Sequence, residues 1–503
     1  MTAAAEAPGV RPEHRPEPHP RRWAALGVIA ISQLMVVLDA TIVNIALPSA
    51  RLDLGITEAD QQWVVTAYTL AFGGLLLLGG RIADYWGRKR TFIVGALGFA
   101  AASAIGGLAT TGPLLFGARA LQGAFGALLA PASLALLTVL FTEARERAKA
   151  FAVYGAIAGG GSAVGLLLGG VLTEYASWRW CLLVNIPIAL VALALAVPLV
   201  PESKAHGDTS YDVPGAVVVT LGLTSLVYGF TEAAKPDKGW DAGTTWAFIG
   251  GGLVLLVIFV LIERVSRNPL LPLRIVLDRN RGGAYLTSML VGAGLFGAFL
   301  FLTLFLQNVL GYTPLEAGFA SLPVTVGVLI SATVASNLLP RIGPKIPMMI
   351  GPVLAAAGMI SLRFIDLDTS FWAHLMPAQV LLGLGLGFTF VPLSSLALVG
   401  VPEHDAGAAS AALNATQQIG GSLGTALLNT IATSAITAYV ASHLTAPDQP
   451  PAPRVLLEAQ VDGYADAFTW AAGLILLAGI VTLIFIKAGK ADLPTGETAV
   501  HVG

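Results

Sequence analysis

Apolar segments long enough to cross a bilayer recur along this 503-residue chain, at 24–48, 63–82, 91–110, 113–140, 150–172, 180–200, 212–233, 244–263, 283–310, 317–339, 345–366, 373–399, 406–437 and 466–487. A helix needs roughly 20 apolar residues to cross a hydrocarbon core of about 30 Å. Hydrophobic residues make up 55% of the sequence and charged residues only 12%, against about 25% charged in a soluble domain. Mean hydropathy is +0.76. A soluble core cannot absorb that much apolar sequence, because surface-to-volume scaling leaves too much of it in water. The expected fold class is therefore an all-α integral membrane protein with fourteen transmembrane helices.

The basic residues test the number of spans. Twenty-one of the 28 Lys and Arg fall on the side of the even-numbered loops and the two ends, six fall on the other side, and Arg119 lies inside a span. By the positive-inside rule both termini are cytoplasmic. Net charge is −2, which gives no overall basic bias toward nucleic acid, and the single cysteine, Cys181, excludes an internal disulfide framework. Residues 1–22, rich in Pro, Ala, Arg and His, read as a disordered cytoplasmic tail. They do not read as a signal peptide, because the apolar run that follows is too long.

Two patterns recur about 260 residues apart. Gly160–Gly161–Ser162 matches Gly420–Gly421–Ser422, and Gly126 with Pro131 matches Gly387 with Pro392. A repeated six-helix unit with two helices inserted explains fourteen spans. The expected organisation is a six-helix half over 23–200, two inserted helices and a cytoplasmic linker over 201–282, a second six-helix half over 283–487 and a cytoplasmic tail over 488–503. Parallel repeats of this kind are a common transporter plan, with the substrate site near the midplane.

Several motifs carry chemistry. VVLDATIVNIALP, residues 36–48, places Asp39 in an apolar run, about sixteen residues or roughly 22 Å into the first span. That is too deep for a short side chain to reach water. LLFGARALQGAFGA, residues 114–127, places Arg119 inside the fourth span, with Gln122 and Gly123 one turn away. An intramembrane Arg costs about 2.5–3.5 kcal/mol by insertion scales unless paired or hydrated, so it must face the interior. Two readings stand for Asp39: a hydrogen-bonding group that ties helices together, or a proton carrier. Arg119 also has a second reading, as an Arg pinned to backbone carbonyls. Asp39 and Arg119 are the best buried ionisable candidates, and the second-half position matching Arg119 lies near uncharged Val380.

GGRIADYWGRKR, residues 79–90, lies in a short turn between the second and third spans. Gly80 and Gly87 permit close approach and a tight turn. Asp84 can accept from a helix N-terminus or pair with a nearby Arg. Arg88 and Lys89 can face anionic headgroups. Gly161, Gly165 and Gly169 form a stripe at spacing four for close helix packing, with Gly170 beside it. Asn414, Gln418, Gly421 and Thr425 share a helical face, flanked by Gln417; these amides either bond neighbouring helices or, with Gln122, line a wet substrate cavity. Asn185 and Gln307 are similar. GLGLG, 383–387, lacks the βαβ context of a dinucleotide site. With no Walker, HExxH or GxSxG pattern, no catalytic residue, metal or cofactor is expected, and the chain does not read as an enzyme.

Together these features resemble the fourteen-span drug:proton antiporter branch of the major facilitator superfamily. The resemblance is carried by the Gly-x-x-x-Asp-x-x-Gly-Arg-Lys turn, by R-x-x-Q-G at Arg119, Gln122 and Gly123, and by L-D-x-T-I-V-N-x-A-L-P at Leu38–Pro48. The glycine stripe is similar to the family's antiporter signature, with Leu166 where Pro is usual. The resemblance implies a gating role for the turn and a proton-transfer role for Arg119. It also implies proton-coupled efflux of drugs, antibiotics or other amphipathic small molecules across the cell membrane, by a monomer. Asp39 is then the proton-carrying group, and Pro48 closes the first helix at the outer face. A proton-coupled nutrient importer on the same fold is the alternative; a non-transporting scaffold would not need a buried Asp–Arg pair.

Overall fold

The computed structural model describes residues 20–489, apart from 142, 205–211, 236, 268, 398–400, 402–405 and 444–450. Nearly all of the expected tails 1–22 and 488–503 therefore lie outside the described residues. The chain is built from helices: α1 (Arg22–Leu54), α2 (Trp63–Trp86), α3 (Arg88–Gly107), α4 (Gly112–Leu140), α5 (Ala144–Tyr175), the short α6 (Trp180–Leu183), α7 (Asn185–Leu199), α8 (Val213–Ala233) and α9 (Gly243–Val265). Then follow the short α10 (Leu273–Val276), α11 (Arg279–Leu304), α12 (Pro314–Ala320), α13 (Leu322–Ile342), α14 (Lys345–Leu362), α15 (Met376–Leu396), α16 (Ala406–His443) and α17 (Pro453–Phe485). A π-helical turn, Phe305–Val309, extends α11, and another, Phe371–Leu375, precedes α15.

Thirteen of the described helical stretches are long and apolar enough to cross a membrane, and α5, with 32 residues, covers the remaining expected span. The fold is all-α and membrane-spanning. The spans differ in detail from the sequence expectation. The stretch 180–200 is α6 followed by α7, and the stretch 317–339 is α12 followed by α13. The last helix begins at Pro453, well before residue 466.

Pro48 does not close the first helix. It lies inside α1, which runs on to Leu54 and stops at Gly55 in the left-handed conformation, φ 62°. One missing N–H is tolerated within a membrane helix whose neighbours pack around it, whereas a left-handed residue ends the ladder. The longer helix places Asp39 near its middle rather than toward one end.

Local signals set the other ends. Thr111 accepts from the Leu114 N–H and Pro113 follows in the first turn of α4. Thr313 and Glu316 form a capping box at the start of α12. The helices then pack as two similar groups. In one, α5 and α7 pack on α1, and α4 lies between α2 and α3; in the other, α16 and α17 pack on α11, and α15 lies between α13 and α14. The two groups touch through α2 with α16 and through α5 with α12. The α8–α9 hairpin rests on α2 and α16 across that seam. Leu70, Leu223, Val227 and Ala426 form its buried contact.

The glycine stripe is the packing surface of α5 against α1. A Cβ on Gly165 would stand 2.0 Å from Thr41 Oγ1 and 3.1 Å from the Leu38 carbonyl oxygen. Gly161 faces Leu34 and Val37, and Gly169 faces Ile42. Gly170 points elsewhere, to Pro314 and Leu315 of α12. The stripe therefore serves packing within one group, while its last glycine serves the junction between groups. Helix α5 is continuous through Leu166.

Gly165→Ala is expected to destabilise the protein by about 1–3 kcal/mol through overpacking. Because the nearest obstacle is the Thr41 hydroxyl, Gly165→Ala/Thr41→Ala should recover most of the loss. Thermal unfolding in detergent measures both; equal destabilisation in the single and double variants would contradict this packing.

Candidate functional site

Asp39 and Arg119 meet in the interior of the first helix group. Asp39 is fully buried and Arg119 is 1% exposed. Arg119 Nη1 lies 2.6 Å from Asp39 Oδ2. The pair is embedded in a network in which every polar atom facing the carboxylate is a donor. Asp39 Oδ1 accepts from Gln122 Nε2 and from Asn185 Nδ2, each at 2.9 Å. Gln122 Oε1 accepts a second bond from Arg119 Nη1, and its Nε2 also reaches Ser103 Oγ at 2.7 Å.

Arg119 is held from its other side as well. Its Nε donates to the Val64 carbonyl at 2.9 Å, and its guanidinium lies 4.5 Å from the centre of the Tyr68 ring. A buried ion pair is tolerable only when its remaining valences are met by such partners. Toward the end of α1, Arg119 abuts an apolar pocket walled by Val43, Ala46, Leu47, Leu115 and Trp178. The two readings of the sequence are thus both visible at Arg119: it pairs with Asp39 and it grips a backbone carbonyl.

Five helices contribute to the network. Asp39 comes from α1, Tyr68 and Val64 from α2, Ser103 from α3, Arg119 and Gln122 from α4, and Asn185 from the start of α7. Gln122 belongs to the ion pair and not to a cavity wall. Ser103 and Tyr68 carry no sequence signal, since a lone Ser in a membrane helix usually bonds its own preceding turn and a lone Tyr reads as packing.

The structural counterpart of Arg119 in the second group is one residue before Val380. Arg119 stands four residues before Gly123, whose Cβ would lie 2.3 Å from the Tyr68 carbonyl; Gln379 stands four residues before Gly383, whose Cβ would lie 2.1 Å from the Val324 carbonyl. Gln379 is fully buried. Asp39 and Arg119 are also not the only buried ionisable groups. Glu232 and Glu263, in α8 and α9, are 1% and 4% exposed.

The α2–α3 turn departs from the expectation at Gly80, while of the two alternatives for Asp84 the pairing with an Arg is the one seen. Gly80 makes no tight approach, its Cβ position lying 3.6 Å from Pro131, whereas Gly79 does, at 2.0 Å from the Ala127 carbonyl oxygen. Asp84 pairs with Arg88 at 2.8 Å, and the start of α3 is capped instead by Glu202, which accepts from the Lys89 and Arg90 N–H groups. Gly87, φ 130°, is needed there: a Cβ would meet the Glu202 carboxylate at 2.8 Å. Arg81 donates to the Pro269 carbonyl, and Lys89 to the Val197 carbonyl.

The amides of α16 divide. Asn414 is exposed and its side chain bonds the Ser410 carbonyl of its own helix. Gln418 lies against Gly73 of α2, with its Oε1 buried and unpartnered. Gln417 packs its backbone against Gly292 of α11. None of them reaches Asp39 or Arg119 in this conformation. The clasp between the groups comes from residues that the sequence did not single out. Asn429 donates to the carbonyls of Glu58 and Ala59 and accepts from Gln61, and Glu174 accepts from the Leu315 N–H. Gln307, in contrast, was singled out, and it donates to the Ile45 carbonyl. Among the described residues, these hydrogen bonds between the two groups all lie toward the face where α1 ends and α2 begins.

Residues 29–425 match the family described as the Major Facilitator Superfamily. The puromycin resistance protein pur8 of Streptomyces alboniger is 49% identical over 489 residues, 96% of this chain and 95% of its own length. The cephamycin export protein CmcT of Amycolatopsis lactamdurans is 36% identical over 477 residues, 93% of this chain and 94% of its own. The tetracenomycin C resistance and export protein of Streptomyces glaucescens is 33% identical over 422 residues, 83% and 77%. Among solved structures, an inward-facing, occupied bacterial homologue of the human lysosomal transporter Spinster superposes with a TM-score of 0.64 at 15% identity, covering 95% of this chain and 99% of that one. At that identity the likeness concerns the fold alone.

Arg119→Ala would leave Asp39 buried without its cation. A loss of about 3–5 kcal/mol is expected, with part of it restored in Arg119→Ala/Asp39→Asn, where no charge remains. A double-mutant cycle on unfolding in detergent measures the coupling; additive losses would show that the two side chains do not interact.

Proposed function

The chain belongs to the Major Facilitator Superfamily, and from that premise we propose that it exports an antibiotic or a related amphipathic small molecule across the cell membrane in exchange for protons. Relatives that align over most of their own length carry names of drug resistance and antibiotic export, which supports export over import. The single observation that carries the coupling mechanism is the buried Asp39–Arg119 pair. An ion pair in a membrane interior is expensive to keep, and it gains a purpose if one member exchanges a proton.

In this reading, the two helix groups are six-helix halves over 23–200 and 283–487 that rock about a central site, with 201–282 between them. Both termini, and the α2–α3 turn, are cytoplasmic. The clasp formed by Asn429, Gln307 and Leu315 then closes the outer face, and the conformation described is closed to the outside. Asn414, one turn from the Gln418–Gly73 contact toward the cytoplasmic face, offers an uncharged polar surface to substrate.

The proton step follows from the geometry around Asp39. With Arg119 against Oδ2, and Gln122 and Asn185 against Oδ1, no face of the carboxylate is open to a proton. A proton can load Oδ2 only in a state where Arg119 has withdrawn, and the Val64 carbonyl and Tyr68 ring give the guanidinium a resting place there. Return of Arg119 expels the proton. Proton movement inward then drives drug outward, each elementary charge contributing roughly 2.3 kcal/mol per 100 mV. The Asp84–Arg88 pair and the Glu202 cap hold the α2–α3 turn as a gate.

Asp39→Asn should lower stability, because it leaves Arg119 without its anion, but the protein should stay folded and inserted, since the amide fills the same space and Arg119 keeps its bonds to the Val64 carbonyl and Gln122. It should abolish export driven by a pH gradient. The measurement is puromycin accumulation in inside-out vesicles of a pump-deficient host, with and without a protonophore. Export by the variant at the wild-type rate, still collapsed by the protonophore, would remove Asp39 from the coupling step.

A further inference from the structure

Three acidic residues are buried in or beside the α8–α9 hairpin, and they differ in how their charge is met. Glu232 is neutralised by Lys235 Nζ at 2.5 Å and by Lys238. Glu263, in the last turn of α9, has no such cation. Its Oε1 and Oε2 accept from the N–H groups of Leu270 and Leu271, at 3.3 and 2.9 Å. The charged group beside it is a second acid: the Asp212 carboxyl lies within hydrogen-bonding reach. Asp212 is 6% exposed and caps α8 through Oδ1, which accepts from the Gly215 N–H at 2.9 Å. Its other oxygen, Oδ2, is buried and receives no donor among the described residues.

Two carboxyl groups in contact and out of water cannot both ionise, and the usual resolution is one proton shared between them. Every N–H that reaches the pair is already spent on Glu263 or on Oδ1. The group that would complete Oδ2 is a hydroxyl on the Glu263 carboxyl. We propose that Asp212 and Glu263 form a second proton-binding site, holding one proton in this conformation, separate from the Asp39–Arg119 pair.

The surroundings give that proton a way to leave with a conformational change. The segment 269–271, which leads into α10, is fastened at two points. Glu263 holds it through Leu270 and Leu271, and Arg81 of α2 holds it through the Pro269 carbonyl. Arg81 lies in α2, six residues before Gly87 of the turn proposed above as a gate. It is the cation bonded to this segment among the described contacts, and it bonds a carbonyl rather than either carboxyl. Movement of the end of α2 relative to α11 must pull on this segment. Once it lifts, Glu263 loses its two N–H donors and the pair meets water. The proton passes from the Glu263 hydroxyl to water, leaving two carboxylates that repel and part; closure recaptures one proton from water.

The coupling of this site to transport rests on the function proposed above, but its protonation does not, so the test reads the proton directly. Infrared spectra of the purified full-length protein in lipid, titrated from acid to neutral pH in H2O and D2O, report the carbonyl stretch of neutral carboxylic acids. Wild type should retain a deuterium-sensitive band at neutral pH, and Asp39→Asn should retain it too. Glu263→Gln and Asp212→Asn should each lose it. Glu263→Gln can donate its amide to Asp212 Oδ2 but gives up the acceptor for one of the Leu270 and Leu271 N–H groups, whereas Asp212→Asn keeps both. Arg81→Ala, which frees the segment, should make the band titrate away at lower pH than in wild type. A wild-type spectrum without the band at neutral pH, a band that survives both carboxyl substitutions, or one that sodium removes at constant pH would overturn the proposal. So would an unchanged titration in Arg81→Ala. Failure of Asp39→Asn to affect efflux would instead count against the coupling role of Asp39 and leave this band to be read on its own.

Discussion

The Asp39–Arg119 pair is the constraint around which the first helix group is organised. Taking two charges out of water costs several kcal/mol per ion even after relaxation, and the membrane removes the option of reaching solvent. The protein answers with geometry. Arg119 is fixed by a carboxylate, an amide, a carbonyl and an aromatic face, and Asp39 by three donors. These partners come from four helices, α1, α2, α4 and α7, so each helix must hold its rotation and depth for the pair to survive. The glycine stripe of α5 keeps α1 in place against it, and Asn185 anchors the start of α7 to the same carboxylate. Packing and electrostatics are therefore one problem here: a shift of α1 that relieved Gly165 would displace Asp39 from Arg119.

The second helix group repeats the packing of the first without repeating its charge. Gly383 lies against the Val324 carbonyl as Gly123 lies against the Tyr68 carbonyl, yet Gln379 stands where Arg119 would be. In the first group the charged atoms of Asp39 and Arg119 are met by internal bonds, while the Tyr68 hydroxyl and the Asn185 carbonyl oxygen are buried with no partner among the described residues. In the second, both ends of the Gln379 amide, the Gln418 carbonyl and the hydroxyls of Ser422 and Thr425 have no protein partner. What differs between the groups is charge: the first holds the buried Asp39–Arg119 pair and the second holds uncharged Gln379 at the matching place.

Much of this was legible in the sequence because membranes leave few choices. A 20-residue apolar run has to be a helix, and an Arg inside one has to face the interior and find acceptors there, so Asp39, the other buried ionisable candidate, could be read as a partner of Arg119. The glycine stripe could be read for the same reason, since spacing four puts Gly161, Gly165 and Gly169 on one face. What escaped were partners whose own sequence context is ordinary. Ser103 sits among alanines, Tyr68 in a run of aliphatic residues, and Asn429 is one of several polar residues along α16. Pro48 was misread because a proline in a polar linker ends a helix, whereas a proline in a packed membrane helix need not. Glu202 caps α3 from more than a hundred residues away, a contact that no local pattern can announce.

Glu263 illustrates the limit more sharply. At the end of an apolar run, beside Arg264 and Arg267, it reads as a solvated charge at the membrane surface. The fold turns it inward instead, because the segment after α9 doubles back and needs an acceptor for the N–H groups of Leu270 and Leu271. Once a carboxyl is committed to that task, the cap of α8 brings Asp212 against it, and the two acids meet without a cation. The inserted hairpin is therefore more than a spacer between two repeats. It rests on α2 and α16 at the seam between the two helix groups, and its polar end is tied through Pro269 and Arg81 to α2. Motion of α2 and the ionisation of the hairpin's acids are joined by the same short segment, so neither can change while the other stays as it is.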